Sequence, residues 1–195
     1  GEDGETHHGV FDVSFLRSVP HMQVLCPANQ AELEQMLRKA ILEMQGPVAV
    51  RYPRGCDGAY TALPERPVLR EGSHITMIGY GKLINNILEA AELLKQQGIE
   101  AEVIKLPSVK PLDMATIAAS VRKTGHLLIA EETVCIGCAA KEIAAQLRLA
   151  GIIVPNRLIN IPDRFVTHGS IARLHEELGL DAKSLCKAAM EVCAK

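Results

Sequence analysis

The sequence predicts an α/β protein: a three-layer α/β/α sandwich preceded by part of a second α/β unit. Three observations carry that reading. From Met22 onward, short apolar runs alternate with stripes of apolar residues at helical spacing. Runs such as Leu127-Leu128-Ile129-Ala130 are apolar at consecutive positions, as a strand covered by helices on both faces must be. The first sixty residues offer two strand signals and one long helix, too little to cover a sheet.

The elements follow in order. Residues 22–25 are a short apolar run that ends at Pro27. Asn29 stands three positions before Glu32, the spacing of a capping box. Leu33, Met36, Leu37, Ala40, Ile41 and Met44 then form one apolar helical stripe, stopped by Gly46-Pro47. Residues 48–52 read as a strand closed by Pro53. From Gly55 to Glu71 there is no periodicity, and Pro64 and Pro67 break any helix. A linker is therefore expected over 64–70, dividing residues 1–63 from 71–195.

Beyond it the alternation is cleaner. Strands are expected at 75–78, 101–106, 127–130 and 158–161. Helices are expected from Ile84 to Gly98, from a cap at Asp113 to Gly125, and over 139–150, 170–178 and 182–194. Four strands interleaved with helices predict a mostly parallel sheet, and about 125 residues suffice for a complete domain.

Composition narrows the function. The chain has 195 residues, 48% hydrophobic and 23% charged, with a formal net charge of −2. That balance offers no broad attraction to nucleic acid or to anionic membranes. Aromatic residues are 3% of the chain, too few for base-stacking surfaces. No apolar run approaches the ~20 residues of a membrane span. Six scattered cysteines do not make a disulfide framework, so a reducing, cytoplasmic setting is expected. The opening GEDGETHHGV has neither a basic region nor an apolar one, so it is no signal peptide. It is an unusual place for a protein to begin, and a piece of a longer chain is expected.

Four segments could carry chemistry. Glu2 to Gly9 packs three carboxylates and two imidazoles between glycines, a composition that can trade protons near neutral pH or be a solvated polar stretch. The pair His7-His8 has no third ligand at a metal-binding spacing. Arg51-Tyr52-Pro53-Arg54-Gly55 follows a strand, at the sheet edge where α/β folds bind ligands, and two arginines there suit a phosphate clamp or a surface ion pair. Cys135-Ile-Gly-Cys138 has the spacing of a redox pair or half a zinc site, but Glu131-Glu132 opposes thiolate formation, and packing of small residues is the expected role. Residues 161–170 form a loop ending in a helix cap at Ser170, with His168 expected to be hydrogen-bonded in a buried loop.

Together these segments resemble the 1-deoxy-D-xylulose-5-phosphate synthases, transketolase-like thiamine diphosphate enzymes. GEDGETHHGVFDVSFL, GPVAVRYPRG, VKPLD, Glu131-Glu132, PDRFVTHGS and ELGLDA are similar to the family's motifs in order, over essentially the whole chain. The resemblance implies a partial pyrimidine-binding domain over 1–63 and a transketolase C-terminal-type domain over 71–195. It implies condensation of pyruvate with glyceraldehyde 3-phosphate and loss of carbon dioxide, feeding isoprenoid, thiamine and pyridoxal synthesis. By position, Asp3 and His7 match active-site residues that contact substrate and manage protons, and Arg54 matches the residue that holds the aldehyde's phosphate. Arg51 is expected to support it, and His8 falls at a variable position. Thiamine diphosphate and Mg²⁺ would serve the parent enzyme, a homodimer, but their main binding residues fall outside these motifs, so this chain alone is expected to be inactive. Cys135 and Cys138 stand where the family has apolar and small residues, and the segment Gly79-Tyr80-Gly81-Lys82 departs from its usual sequence. Another transketolase-like enzyme, a split subunit or a non-catalytic assembly module remain the alternatives.

Overall fold

The structure is a computed structural model and describes residues 1–195. Its helices are α1 (Asp12–Ser18), α2 (Gln30–Leu42), α3 (Ile84–Gln96), α4 (Met114–Thr124), α5 (Ala139–Leu149), α6 (Ile171–Leu178) and α7 (Ala182–Cys193). The strands are β1 (Gln23–Leu25), β2 (Val48–Val50), β3 (Val68–Arg70), β4 (Ile75–Gly79), β5 (Ala101–Lys105), β6 (Ser108–Lys110), β7 (Leu127–Val134) and β8 (Asn156–Ile161). No helix is long and apolar enough to cross a membrane.

Local chemistry starts the helices where the sequence places caps. The side chains of Asn29, Asp113 and Ser170 accept from the N–H groups of Glu32, Thr116 and Arg173, each three residues on. Asp181 does the same for α7.

The larger sheet runs β3-β5-β4-β7-β8, parallel except for β3. Alternate residues feed two opposite layers. Met77, Val103, Leu128 and Ala130 pack with Ile87 and Leu94 of α3 and with Leu185 and Val192 of α7. Ile78, Ile104, Leu127 and Ile129 pack with Ile117 and Val121 of α4 and Ile143 of α5. Each fully buried side chain of this kind contributes about 1.5–3 kcal/mol. This is the α/β/α sandwich that the alternation predicts.

Two departures concern the boundary between the units. The end of the expected linker is not a linker: Val68–Arg70 forms the antiparallel edge strand β3 against β5. In addition, β6 leaves the second unit to pair antiparallel with β1, giving a smaller sheet of order β2-β1-β6. The two cores also merge. Val13, Val24 and Cys26 lie in the same buried cluster as Ile117 and Ile143. Burial there pushes the Cys26 thiol up to about 12, so it packs as a small neutral group.

Helix α2 behaves differently from its pattern. None of its six stripe residues is buried, and Ile41 and Leu42 are 77% and 68% exposed. Its one buried side chain is a carboxylate, Glu32. Instead of closing the capping box onto Asn29, Glu32 accepts from the Ala28 N–H (2.7 Å) and the Tyr60 hydroxyl (3.2 Å) and pairs with Lys105 Nζ at 2.8 Å. Lys105 ends β5, so this buried pair ties the first segment to the larger sheet. Removing one partner strands the other charge, which costs about 3–5 kcal/mol. Lys105→Met is therefore expected to lower the urea midpoint sharply, and Glu32→Gln added to it to recover part of the loss. An unchanged midpoint in Lys105→Met would refute the anchor.

Candidate functional site

The site forms where the first nine residues meet the turn after β2 and the loop before α6. Gly4 (φ 71°) bends the chain into a 3-10 turn at Glu5–His7. A Cβ at Gly4 would stand 3.4 Å from that of His168, and the Gly169 N–H donates to the Gly1 carbonyl at 3.2 Å. The GEDG and THGS segments, residues 1–4 and 167–170, are thus adjacent. His8 lies between Phe11 and Phe165, with ring centroids 6.4 and 6.5 Å away.

Asp3 and Arg54 form an ion pair on this surface. Arg54 is 78% exposed, so its remaining N–H groups face solvent. His7 is also exposed, its Nδ1 hydrogen-bonded to Thr6 Oγ1 at 2.9 Å, which leaves Nε2 toward solvent. The structure therefore joins Asp3 to Arg54 and places His7 in the adjoining turn. His168, by contrast, is exposed rather than held in a buried loop, because Val166 and Phe165 of its segment, not His168, turn toward the first residues.

Arg51 is turned away from this surface. Its Nε donates to both Asp12 oxygens at 3.1 Å, Nη2 donates to the Gly9 carbonyl at 3.3 Å, and the guanidinium stands 5.9 Å from the Tyr80 ring centre. Burial alone would weaken its hold on the proton, but the Asp12 carboxylate raises its pKa and keeps it charged. It braces the glycine-rich loop and the start of α1.

The CxxC segment is equally structural. Ser14 Oγ donates to the Ile136 carbonyl at 2.6 Å and Arg17 Nη1 to that of Gly137 at 3.0 Å, so α1 is fastened to this loop. Burial raises the Cys138 pKa, and the Glu131 charge adds to it. That carboxylate accepts from the Ala139 (3.3 Å) and Ala140 (2.7 Å) N–H groups, occupying the start of α5 where a thiolate would have gained. No three His, Cys, Asp or Glu side chains converge where a metal ion could sit.

Residues 65–185 match the family model described as the transketolase C-terminal domain, and residues 1–56 the transketolase pyrimidine binding domain. The chain belongs to the transketolase family. It is 41% identical over 200 residues to 1-deoxy-D-xylulose-5-phosphate synthase of Heliobacterium modesticaldum, covering 98% of this chain and 31% of that protein. The synthase of Desulforudis audaxviator is 41% identical, over 97% of this chain and 31% of its own length. The chain thus spans about a third of these relatives. Among solved structures, one described as "Split gene transketolase, inactive beta4 tetramer" matches with a TM-score of 0.86 and 29% identity, over 98% of this chain and 64% of that one.

Sequence reasoning missed the groups that brace the site. Asp12 and Tyr80 hold Arg51, and Glu132 holds α6 through His175 Nε2 at 2.8 Å. These contacts join residues at least 29 positions apart and leave no local pattern. Burial would raise the Glu132 carboxyl, but the hydrogen bond from His175 and its charge, with those of Arg51 and Lys82, outweigh it and lower the pKa. A lowered folded-state value means stability that is present above the ordinary carboxylate range and lost as pH falls below it. Denaturation between pH 7 and 3 is expected to show this acid limb in the native chain and a shallower one in Glu132→Gln. Identical limbs would exclude the pair as its source.

Proposed function

We propose that these residues form the aldehyde-binding side of a 1-deoxy-D-xylulose-5-phosphate synthase site, which condenses pyruvate with glyceraldehyde 3-phosphate and releases carbon dioxide. The observation that carries this reading is Arg54, exposed beside Asp3 and His7 in a chain whose curated relatives bear that name. Arg54 offers charged donors to the triose phosphate, and a bidentate guanidinium suits a phosphate better than an ammonium does. His7, with Nε2 free, exchanges a proton with the substrate oxygen near the reacting carbon, and Asp3 orients the substrate once phosphate competes for Arg54.

Thiamine diphosphate supplies the carbanion chemistry in this proposal, with Mg²⁺ on its diphosphate. We infer from the family likeness that both are held mainly by residues other than these 195. The chain by itself is then inactive, and works in a cytoplasmic homodimer or larger assembly. A second reading has its own support. The split-gene transketolase neighbour suggests a separate subunit that needs a complementary chain, acting on sugar phosphates of the transketolase type. A non-catalytic assembly module is the third.

Calorimetric titration of the chain with thiamine diphosphate and Mg²⁺ is expected to give no heat; saturable binding would favour the split-subunit reading. An active assembly containing the chain should turn over pyruvate with glyceraldehyde 3-phosphate, whereas turnover only with a pentose phosphate would overturn the synthase. In that assembly Arg54→Ala should raise the KM for glyceraldehyde 3-phosphate by the equivalent of about 1.5–3 kcal/mol, with little change for pyruvate. Equal effects on both would remove the phosphate role. His7→Ala should lower kcat and leave cofactor affinity unchanged; an unaltered kcat would take His7 out of the mechanism.

A further inference from the structure

Two residues of the second unit, Lys82 and Asn85, reach the turn that carries Arg54 and the chain just beyond it. The Lys82 ammonium donates to the Cys56 carbonyl at 2.6 Å, and a Cβ on Gly55 would stand 3.9 Å from Lys82 Nζ. Gly55 itself has a φ of 99°, so the turn is bent where the ammonium lies. Asn85 fixes both sides: its Nδ2 donates to the Lys82 carbonyl at 2.8 Å, and its Oδ1 accepts from the Tyr60 N–H at 2.8 Å. A Cβ at Gly58 would collide with Asn85 at 2.5 Å, so Gly58 lets this brace close. Tyr60 is in turn buried against Glu32. The Lys82 backbone and the chain beyond the turn are thus tied together through Asn85, while the Cys56 carbonyl holds the ammonium itself.

The placement has no purpose in the helix. Lys82 lies in the 3-10 turn Gly81–Leu83 that leads directly into α3, with no acidic residue and no side-chain cap in that first turn. A cation at a helix N-terminus opposes the dipole, which favours an anion there. Two cations, Arg54 and Lys82, consequently flank one glycine turn. Arg54 has a carboxylate partner in Asp3; Lys82 makes no salt bridge and has two N–H groups beyond the Cys56 bond.

We propose that Lys82 is a second cation of the phosphate-binding site, recognising the dianionic end of a small phosphomonoester together with Arg54. The proposal rests on the phosphate role given to Arg54 above. It deepens that role by assigning part of substrate specificity to the second unit, at the segment that departs from the family's usual sequence. The glycine turn lets the phosphate approach the backbone, Lys82 supplies a point charge, and Arg54 supplies the planar fork.

The test is a titration of the ¹⁵N-labelled chain with sn-glycerol 3-phosphate, followed by amide shifts of residues 54–58 and 81–83, with glycerol as the phosphate-free control. The wild-type chain should show saturable shifts that glycerol does not cause. Lys82→Gln keeps a donor for the Cys56 carbonyl but removes the charge, and should weaken binding about 5- to 20-fold. Lys82→Arg should retain most of it, and the dispersion of each spectrum reports folding. Binding lost in Arg54→Ala but unchanged in Lys82→Gln would overturn the role of Lys82 and leave that of Arg54 standing. No saturable shift in the wild type, or equal binding in Arg54→Ala, would overturn the phosphate site itself and Lys82 with it.

Discussion

A guanidinium withdrawn from water must be met by charge and hydrogen bonds, and Arg51 is met by both halves of this molecule. Asp12 and Gly9 approach it from the first segment, and Tyr80 and the Glu132 backbone from the second. The Tyr80 hydroxyl is itself bonded to Glu131 (2.9 Å) and Thr133 (2.7 Å), and Glu131 holds the start of α5. One buried cation therefore sets the height of the glycine-rich loop, the entry of α1 and the end of β7. Three residues further on, Arg54 is free of this duty and can meet a ligand.

What could be read from the sequence was local. The stripes of α3, α4, α5 and α7 and the apolar runs of β4, β5 and β7 are each visible in ten or so residues, because their neighbours bury them completely. The caps at Asn29, Asp113 and Ser170 are visible in four. The three-residue strands β3 and β6 are not visible, since they exist only by pairing with β5 and β1. Glu32 has the spacing of a capping residue, yet its carboxylate answers to Lys105, 73 positions away. The stripe of α2 reads as a core face, and the fold covers it only in part, leaving Leu37 and Ile41 exposed.

The site divides in the same way. Its glycine-flanked, charge-rich loop and arginine turn stood out by composition, but the roles of Asp3, His7 and Arg54 came from likeness to a family, not from spacing. By spacing alone Arg51 and Arg54 read as one clamp; likeness to the family made Arg51 a support, and its contacts with Asp12 and Tyr80 show how it braces. The CxxC pair has a reactive spacing, but Glu131-Glu132 before it argued for packing, and in the fold burial and the Glu131 carboxylate raise the Cys138 pKa.

The merged core also bears on motion. Swinging the first segment away from the sandwich would bring Val13, Val24 and Cys26 into water at once and part Glu32 from Lys105. Such a hinge would expose shared core and strand a buried charge, so the shared packing opposes independent motion of the two units. The loops that carry His7, Arg54 and Phe165 stand outside that core, so they can shift without exposing it.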